Sequence, residues 1–165
     1  MVFGRGSSFE PNLIDTVEVP DYSGVMGLVA CPGTRLMQPE VPSKKLLPSD
    51  LDGVSDWGAN GLVCLLEHHE LSMHRIENLG ELLEERGIWY KHLPIVDMGV
   101  PNQEFEDEWA VEGERIRHAL RIGERVIFHC YAGLGRTGMM AARILVEMGM
   151  DHETCLLYTS DAADE

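Results

Sequence analysis

Basic side chains are scarce in this sequence: 13 lysines and arginines face 28 aspartates and glutamates, for a formal charge of −15 over 165 residues. A field of that sign repels nucleic acid and anionic membrane surfaces, so neither is expected as a partner. Any phosphate ligand then needs a local site to hold it. Long apolar runs are missing too, and no stretch approaches the length of a membrane span. The opening MVFGRGSSFEPNL lacks the apolar centre and cleavage region of a secretory signal. Cysteines are few and scattered, at 31, 64, 130 and 155. That usage fits a reduced, cytoplasmic protein better than a disulfide-stapled one. Clustered metal ligands are also lacking. His68, His69 and His74 with Glu67 and Glu70 do not fall on one helix face, and they read as surface or loop groups. No metal and no cofactor are expected.

Hydrophobic content of 44% suits one globular domain with a sizeable core. Residues 1–12 are expected to form a flexible leader. The alternating LIDTVEV (13–19), a PDYSG turn and the apolar VMGLVAC (25–31) suggest a hairpin. Ser49 is placed to cap a helix running to Trp57, with Asp50 and Asp52 in its first turn. GLVCLLE (61–67), IWYKHLP (88–94) and RVIFHC (125–130) read as strands. Helices are predicted over 76–86, from Asn102 to about Gly123, and over 136–149. The inward stripe of the second is Phe105, Trp109, Ile116 and Leu120. Trp57, Trp89 and Trp109 read as core anchors. Met139, Met140, Met148 and Met150 read as helix packing. This alternation predicts an α/β fold with three layers: a mostly parallel central sheet and helices on both faces. In such sheets ligands sit at the carboxyl ends of the strands, where Asp97 and Cys130 both fall.

The segment HCYAGLGRTG (129–138) sets a cysteine at a strand end and an arginine at a helix start, with five residues between them. That is a ring for a phosphate dianion. Backbone N–H groups of Tyr131, Ala132, Gly133, Leu134, Gly135 and Arg136 can turn inward as an anion nest, with the positive helix end behind them. Gly133, Gly135 and Gly138 are expected to permit angles and close approaches that side chains forbid. Arg136 offers a two-pronged grip on phosphate oxygens. The nest is expected to lower the pKa of Cys130, giving a thiolate nucleophile. Thr137 is placed to hydrogen-bond its sulfur as that thiolate leaves. Other readings fit less well. A dinucleotide fold needs a further strand and an acid about 20 residues on, a Walker loop needs a Lys-Ser/Thr pair, and a zinc site needs more ligands. Cys64 reads as a buried hydrophobe rather than a redox partner of Cys130.

HCYAGLGRTG resembles the signature loop of the protein tyrosine and dual-specificity phosphatase superfamily. GLVACPGTR (27–35), LLEHHEL (65–71) and HLPIVDMGVP (92–101) bring the resemblance nearest to the kinase-associated phosphatase group and its bacterial relatives. It extends from about residue 13 to about residue 154. It implies a phosphocysteine mechanism with Asp97 as general acid. Independently, a leaving alkoxide needs a proton, and Asp97 lies in a Gly/Pro-bounded loop on the same sheet edge as Cys130. A loop-capping role for Asp97 is the plainer reading, and Asp107 and Glu108 are weaker candidates for the acid. Glu70 is a candidate brace beneath Arg136. Neutral Tyr131, Ala132 and Leu134 disfavour polyphosphate lipids and favour phosphorylated protein or peptide. A small-molecule or nucleotide phosphatase stands as the alternative, as does an inactive truncated fragment. A non-catalytic phosphate-binding module would normally have lost Cys130, Arg136 or Asp97.

The last eleven residues, CLLYTSDAADE (155–165), resemble translated sequencing-adapter read-through. On that reading the catalytic domain spans 13–154 and lacks its closing C-terminal helix.

Overall fold

The computed structural model describes residues 9–155. Five strands form one sheet in the order β1-β2-β5-β3-β4: β1 (Asp15–Glu18), β2 (Val25–Val29), β3 (Gly61–Cys64), β4 (Trp89–His92) and β5 (Arg125–His129). The expected hairpin is β1–β2, paired antiparallel with Val17 opposite Met26. All other pairings are parallel. Strand β5 is central, and its Val126, Ile127 and Phe128 are wholly buried, as a strand covered on both faces requires. Gly61 of β3 lies opposite Trp89 of β4. A Cβ at Gly61 would sit 1.9 Å from the indole, so only glycine admits that ring.

Among the described residues five helices cover the two faces: α1 (Ser43–Trp57), α2 (His68–Met73), α3 (Leu79–Glu84), α4 (Gln103–Arg121) and α5 (Gly135–Glu147). On one face Leu47, Leu51 and Val54 of α1 join Leu79 and Leu83 of α3 over Leu62, Cys64 and Ile127. On the other, the predicted stripe of α4 meets Met140, Ala141, Ile144 and Leu145 of α5 over Val63, Val126 and Phe128. Alternate residues of β3 and β5 thus enter opposite cores, as the two-residue strand period dictates. Asn102 caps α4 as expected, its Oδ1 accepting the Phe105 N–H at 2.8 Å.

Four expectations are corrected. Helix α1 begins at Ser43, six residues before Ser49, and runs through Pro48. Proline there removes one backbone donor, but buried Leu46, Leu47 and Leu51 hold the helix to the core. Asp50 therefore sits mid-helix, not in a first turn. His68 and His69 lie at the surface as expected, but His68–Met73 form α2 rather than a loop and Glu70 is buried. Trp57 and Trp89 are only half-buried, each donating its indole N–H, to Thr16 at 3.1 Å and to Glu124 at 3.0 Å. Residues 10–12 of the expected leader are tied down. Asn12 N–H donates to Asp50 at 2.8 Å, and Arg35 donates to the Glu10 carbonyl at 2.7 Å. Residues 1–8 of the leader and 156–165 of the expected tail lie outside the described residues. Cys155 is buried and donates to the Ala142 carbonyl at 3.3 Å. No helix among the described residues is long and apolar enough to cross a membrane.

Candidate active site

The carboxyl ends of the four parallel strands meet on one edge. From β2 comes the Cys31–Arg35 turn, from β3 the Leu65–Glu70 segment, from β4 the Ile95–Asp97 loop, and from β5 the Cys130–Arg136 loop. Side chains far apart in sequence converge there because parallel strands point the same way.

Cys130 directly follows β5 and is 3% exposed. Beyond it the chain turns through residues 131–134 into α5. The Tyr131 carbonyl accepts the Cys31 N–H at 2.9 Å, which ties the loop to the end of β2. Gly133 has φ +75, and a Cβ there would lie 2.6 Å from the Val29 carbonyl carbon. Both the backbone angle and the close approach exclude a side chain. Gly135 and Gly138 differ from expectation: an added Cβ at either would meet nothing within 4 Å. Among the described residues, the N–H groups of Tyr131, Ala132, Gly133 and Leu134 donate to no protein acceptor. Those of Gly135 and Arg136 open α5, where no preceding turn offers an acceptor. Consecutive uncommitted donors of this kind suit an anion.

Arg136 is buried, and its guanidinium is held from below. Nη1 donates to Glu70 Oε2 at 2.7 Å and Nη2 to Glu70 Oε1 at 2.9 Å, a two-pronged pair. Nη1 also reaches the Ile95 carbonyl at 3.1 Å and the Leu65 carbonyl at 3.5 Å. Glu70 Oε2 accepts the Glu67 N–H at 2.8 Å as well. Burial alone would raise the Glu70 pKa, but the hydrogen bonds from Arg136 and Glu67 prevail and hold it below the ordinary glutamate value. The Glu70 bond in turn raises the Arg136 pKa against the opposing effect of burial. The brace anticipated for Glu70 is thus formed.

Asp97 lies on the exposed loop after β4, with Oδ1 3.4 Å from Arg136 Nη2. Its N–H points to Glu67 Oε2 at 3.5 Å. The next residue, Met98, takes φ +59, a left-handed angle that tightens the loop. Thr137 is fully buried, but its hydroxyl makes no hydrogen bond, so the expected bond to the Cys130 sulfur is not formed. Asp107 and Glu108 ride on α4; Glu108 lines a separate cavity of about 400 Å³ with Phe105 and His68.

The remaining cysteines are unlike Cys130 in setting. Cys64 packs in the α1-side core and Cys130 in the α5-side core, on opposite faces of the sheet. Burial pushes the Cys64 thiol up to about 12 and raises Cys31 and Cys155 above the ordinary thiol value. His129 is fully enclosed, and burial lowers its pKa to about 4, so it is neutral near pH 7. No three His, Cys, Asp or Glu side chains among the described residues are grouped to hold a metal ion.

The sequence alone did not reveal the part played by Asp50. Buried at the middle of α1, it accepts the Gly33 N–H at 2.8 Å and pairs with Arg35 at 2.8 and 2.9 Å. It thereby shapes the Cys31–Arg35 turn beside the signature loop. The only available sign was the CPGTR segment itself.

Known proteins share this fold. A crystal structure of kinase associated phosphatase with serine substituted for its catalytic-site cysteine superposes with a TM-score of 0.78 at 26% identity. The match covers 92% of this chain and 83% of that one. Cyclin-dependent kinase inhibitor 3 of Rattus norvegicus is 29% identical over 124 residues, 75% of this chain and 55% of that protein. The PRL-1 phosphatase of Drosophila melanogaster is 35% identical over 79 residues, 48% of this chain and 44% of that protein. The chain therefore spans about half the length of the curated relatives it matches. The fold is that of the cysteine-dependent protein tyrosine and dual-specificity phosphatases. With the family model for cyclin-dependent kinase inhibitor 3 (CDKN3) matching residues 14–154, the chain belongs to that family.

Proposed function

We propose that this chain hydrolyses phosphate monoesters on protein or peptide, through a covalent phosphocysteine. One observation carries the reading. Cys130 opens a loop of uncommitted backbone donors that closes on Arg136, and Glu70 holds that guanidinium in place.

In this mechanism the substrate phosphate sits on the N–H groups of Tyr131, Ala132, Gly133, Leu134, Gly135 and Arg136, gripped by the Arg136 side chain. The Cys130 thiolate attacks phosphorus, the bond to the leaving oxygen breaks, and Asp97 gives that oxygen its proton. Water then attacks the phosphocysteine, Asp97 takes a proton from it, and phosphate departs as the thiolate re-forms. Thr137 is buried beside the loop, but its hydroxyl makes no bond to the Cys130 sulfur, so no role in this leaving step is assigned to it. Nest and guanidinium stabilise charge that spreads over the equatorial oxygens in each step.

A phosphorylated protein substrate fits the neutral loop side chains, and a net charge of −15 weighs against nucleic acid and anionic membrane as partners. We place the protein in the cytoplasm because its four cysteines are few and widely scattered in the sequence. The test is a panel of phosphopeptides, nucleotides and inositol phosphates ranked by kcat/KM. Phosphopeptides should lead, and a nucleotide at the head would overturn the substrate assignment.

A further inference from the structure

Beside the candidate active site runs a groove of about 570 Å³, between the Gly33–Lys44 segment and residues 73–75. Tyr131, the first residue of the signature loop after Cys130, forms part of its wall. Tyr131 therefore belongs both to the groove wall and to the loop that follows Cys130. His74 stacks on the Tyr131 ring, with centroids 5.1 Å apart and planes 8° from parallel, which fixes residues 73–75 against the loop.

The charge of this groove runs against the rest of the molecule. In a chain of net charge −15, Arg35, Lys44 and Arg75 line it against a single acid, Glu40. Arg35 is already neutralised by Asp50. Lys44 and Arg75 are exposed, and neither has a carboxylate within ion-pair distance among the described residues. Elsewhere most cations find partners, Arg86 with Asp52, Lys91 and Arg115 with Glu112, Arg117 and Arg121 with Glu114, Arg143 with Glu106, while Lys45 and Arg125 have no ion pair among the described residues. With acids outnumbering bases about two to one, a pair of unmatched cations in one groove is not the average of the surface. Arg75 also takes a left-handed backbone angle, φ +55, where glycine or asparagine would be cheaper.

We propose that Lys44 and Arg75 form a second anion subsite, which takes an acidic or phosphorylated side chain flanking the phosphoresidue of a peptide substrate. The proposal rests on the phosphatase reading above and names the substrate feature that site selects. Two exposed cations act over a short range in water, so they sort substrates by neighbouring charge without touching the reacting phosphate.

The experiment uses the Cys130→Ser protein and fluorescent phosphopeptides of one sequence, whose flanking positions are glutamate, phosphoserine or alanine. At about 50 mM salt the acid-flanked peptides should bind roughly 10-fold tighter than the alanine peptide, and this preference should largely vanish near 300 mM. Adding Lys44→Ala and Arg75→Ala should bring the ratio close to one, whereas Lys44→Arg alone should keep it. Melting temperatures would show that each variant is folded. Equal binding of the three peptides by the parent, or an undiminished ratio in the double variant, would overturn the subsite. Tighter binding of inositol phosphates than of any peptide would overturn the peptide assignment. Turnover of para-nitrophenyl phosphate by the protein with Cys130 intact is measured beside it. Its absence would count against the phosphatase reading, while the binding ratio decides the subsite separately.

Discussion

The two halves of the candidate site differ in how firmly they are held. Arg136 has 4% of its side chain exposed, and its guanidinium is fixed by Glu70 and by two backbone carbonyls. Asp97 has 63% exposed and touches the rest of the site through two long contacts, of 3.4 and 3.5 Å. The half proposed to hold the anion is fixed before any substrate arrives, and the half proposed to donate the proton sits on a loop with little to restrain it. Such a division suits chemistry in which the charge must be met by fixed dipoles, while the acid approaches a leaving group of variable shape.

The fixed half should yield the largest effects. Cys130→Ser is expected to abolish turnover while vanadate still binds, as read by equilibrium titration; hydrolysis at the parental rate would remove Cys130 from the mechanism. Arg136→Lys keeps the charge but loses the fork, and two charge-assisted hydrogen bonds correspond to a loss on the order of 1000-fold in kcat/KM. Equal phosphate affinity in the two proteins would sink the clamp. Asp97→Ala should slow phosphopeptide turnover roughly 100-fold, and less for an activated nitrophenyl ester. Phosphate should bind the Asp97→Ala protein no worse, because the lost carboxylate competes for Arg136 Nη2.

Glu70 tests whether the firmness itself matters. Glu70→Ala leaves the Arg136 charge buried without its partner, and chemical denaturation should show a loss of about 3–5 kcal/mol. Glu70→Gln, which keeps one acceptor, should be milder and should slow turnover roughly 10-fold through misplacement of the guanidinium. A Glu70→Gln protein with parental kcat would show that the brace is structural only.

The smallest effect concerns pH. His129 has a folded pKa of about 4, below the ordinary 6.5 of the unfolded chain, so the unfolded state binds the extra proton between those values. Stability should therefore fall as pH drops from about 6.5 toward 4. His74 and His92 are lowered by burial too, and add to the same trend. Glu70, shifted down, adds its own loss only at lower pH, as it protonates. Melting temperatures of His129→Gln should depend less steeply on pH across the upper window, and an unchanged slope would assign the effect elsewhere.

What the sequence determined by itself was whatever depends on local pattern. The strand RVIFH, the capped helix from Asn102, and the cysteine, glycine and arginine of the signature loop all carry their reasons within a few residues. Helix α1 was misread because Ser49 looked like its cap, and only packing of Leu46, Leu47 and Leu51 under the sheet shows that the helix starts earlier and runs through Pro48. Gly135 and Gly138 looked as constrained as Gly133. The close approach of Val29 that singles out Gly133 comes from a strand more than 100 residues away. Asp50 gave no local sign, because its partners Gly33 and Arg35 reach it only when α1 packs beside the end of β2. Glu70 was a candidate brace for Arg136 from the sequence, and tertiary structure formed that pair across 66 residues by bringing the ends of β3 and β5 side by side. Tertiary structure also set Lys44 and Arg75 on one groove with no ion-pair partner among the described residues. Charge pairing is a property of space rather than of sequence, because the Coulomb energy depends on distance between groups and on the water around them.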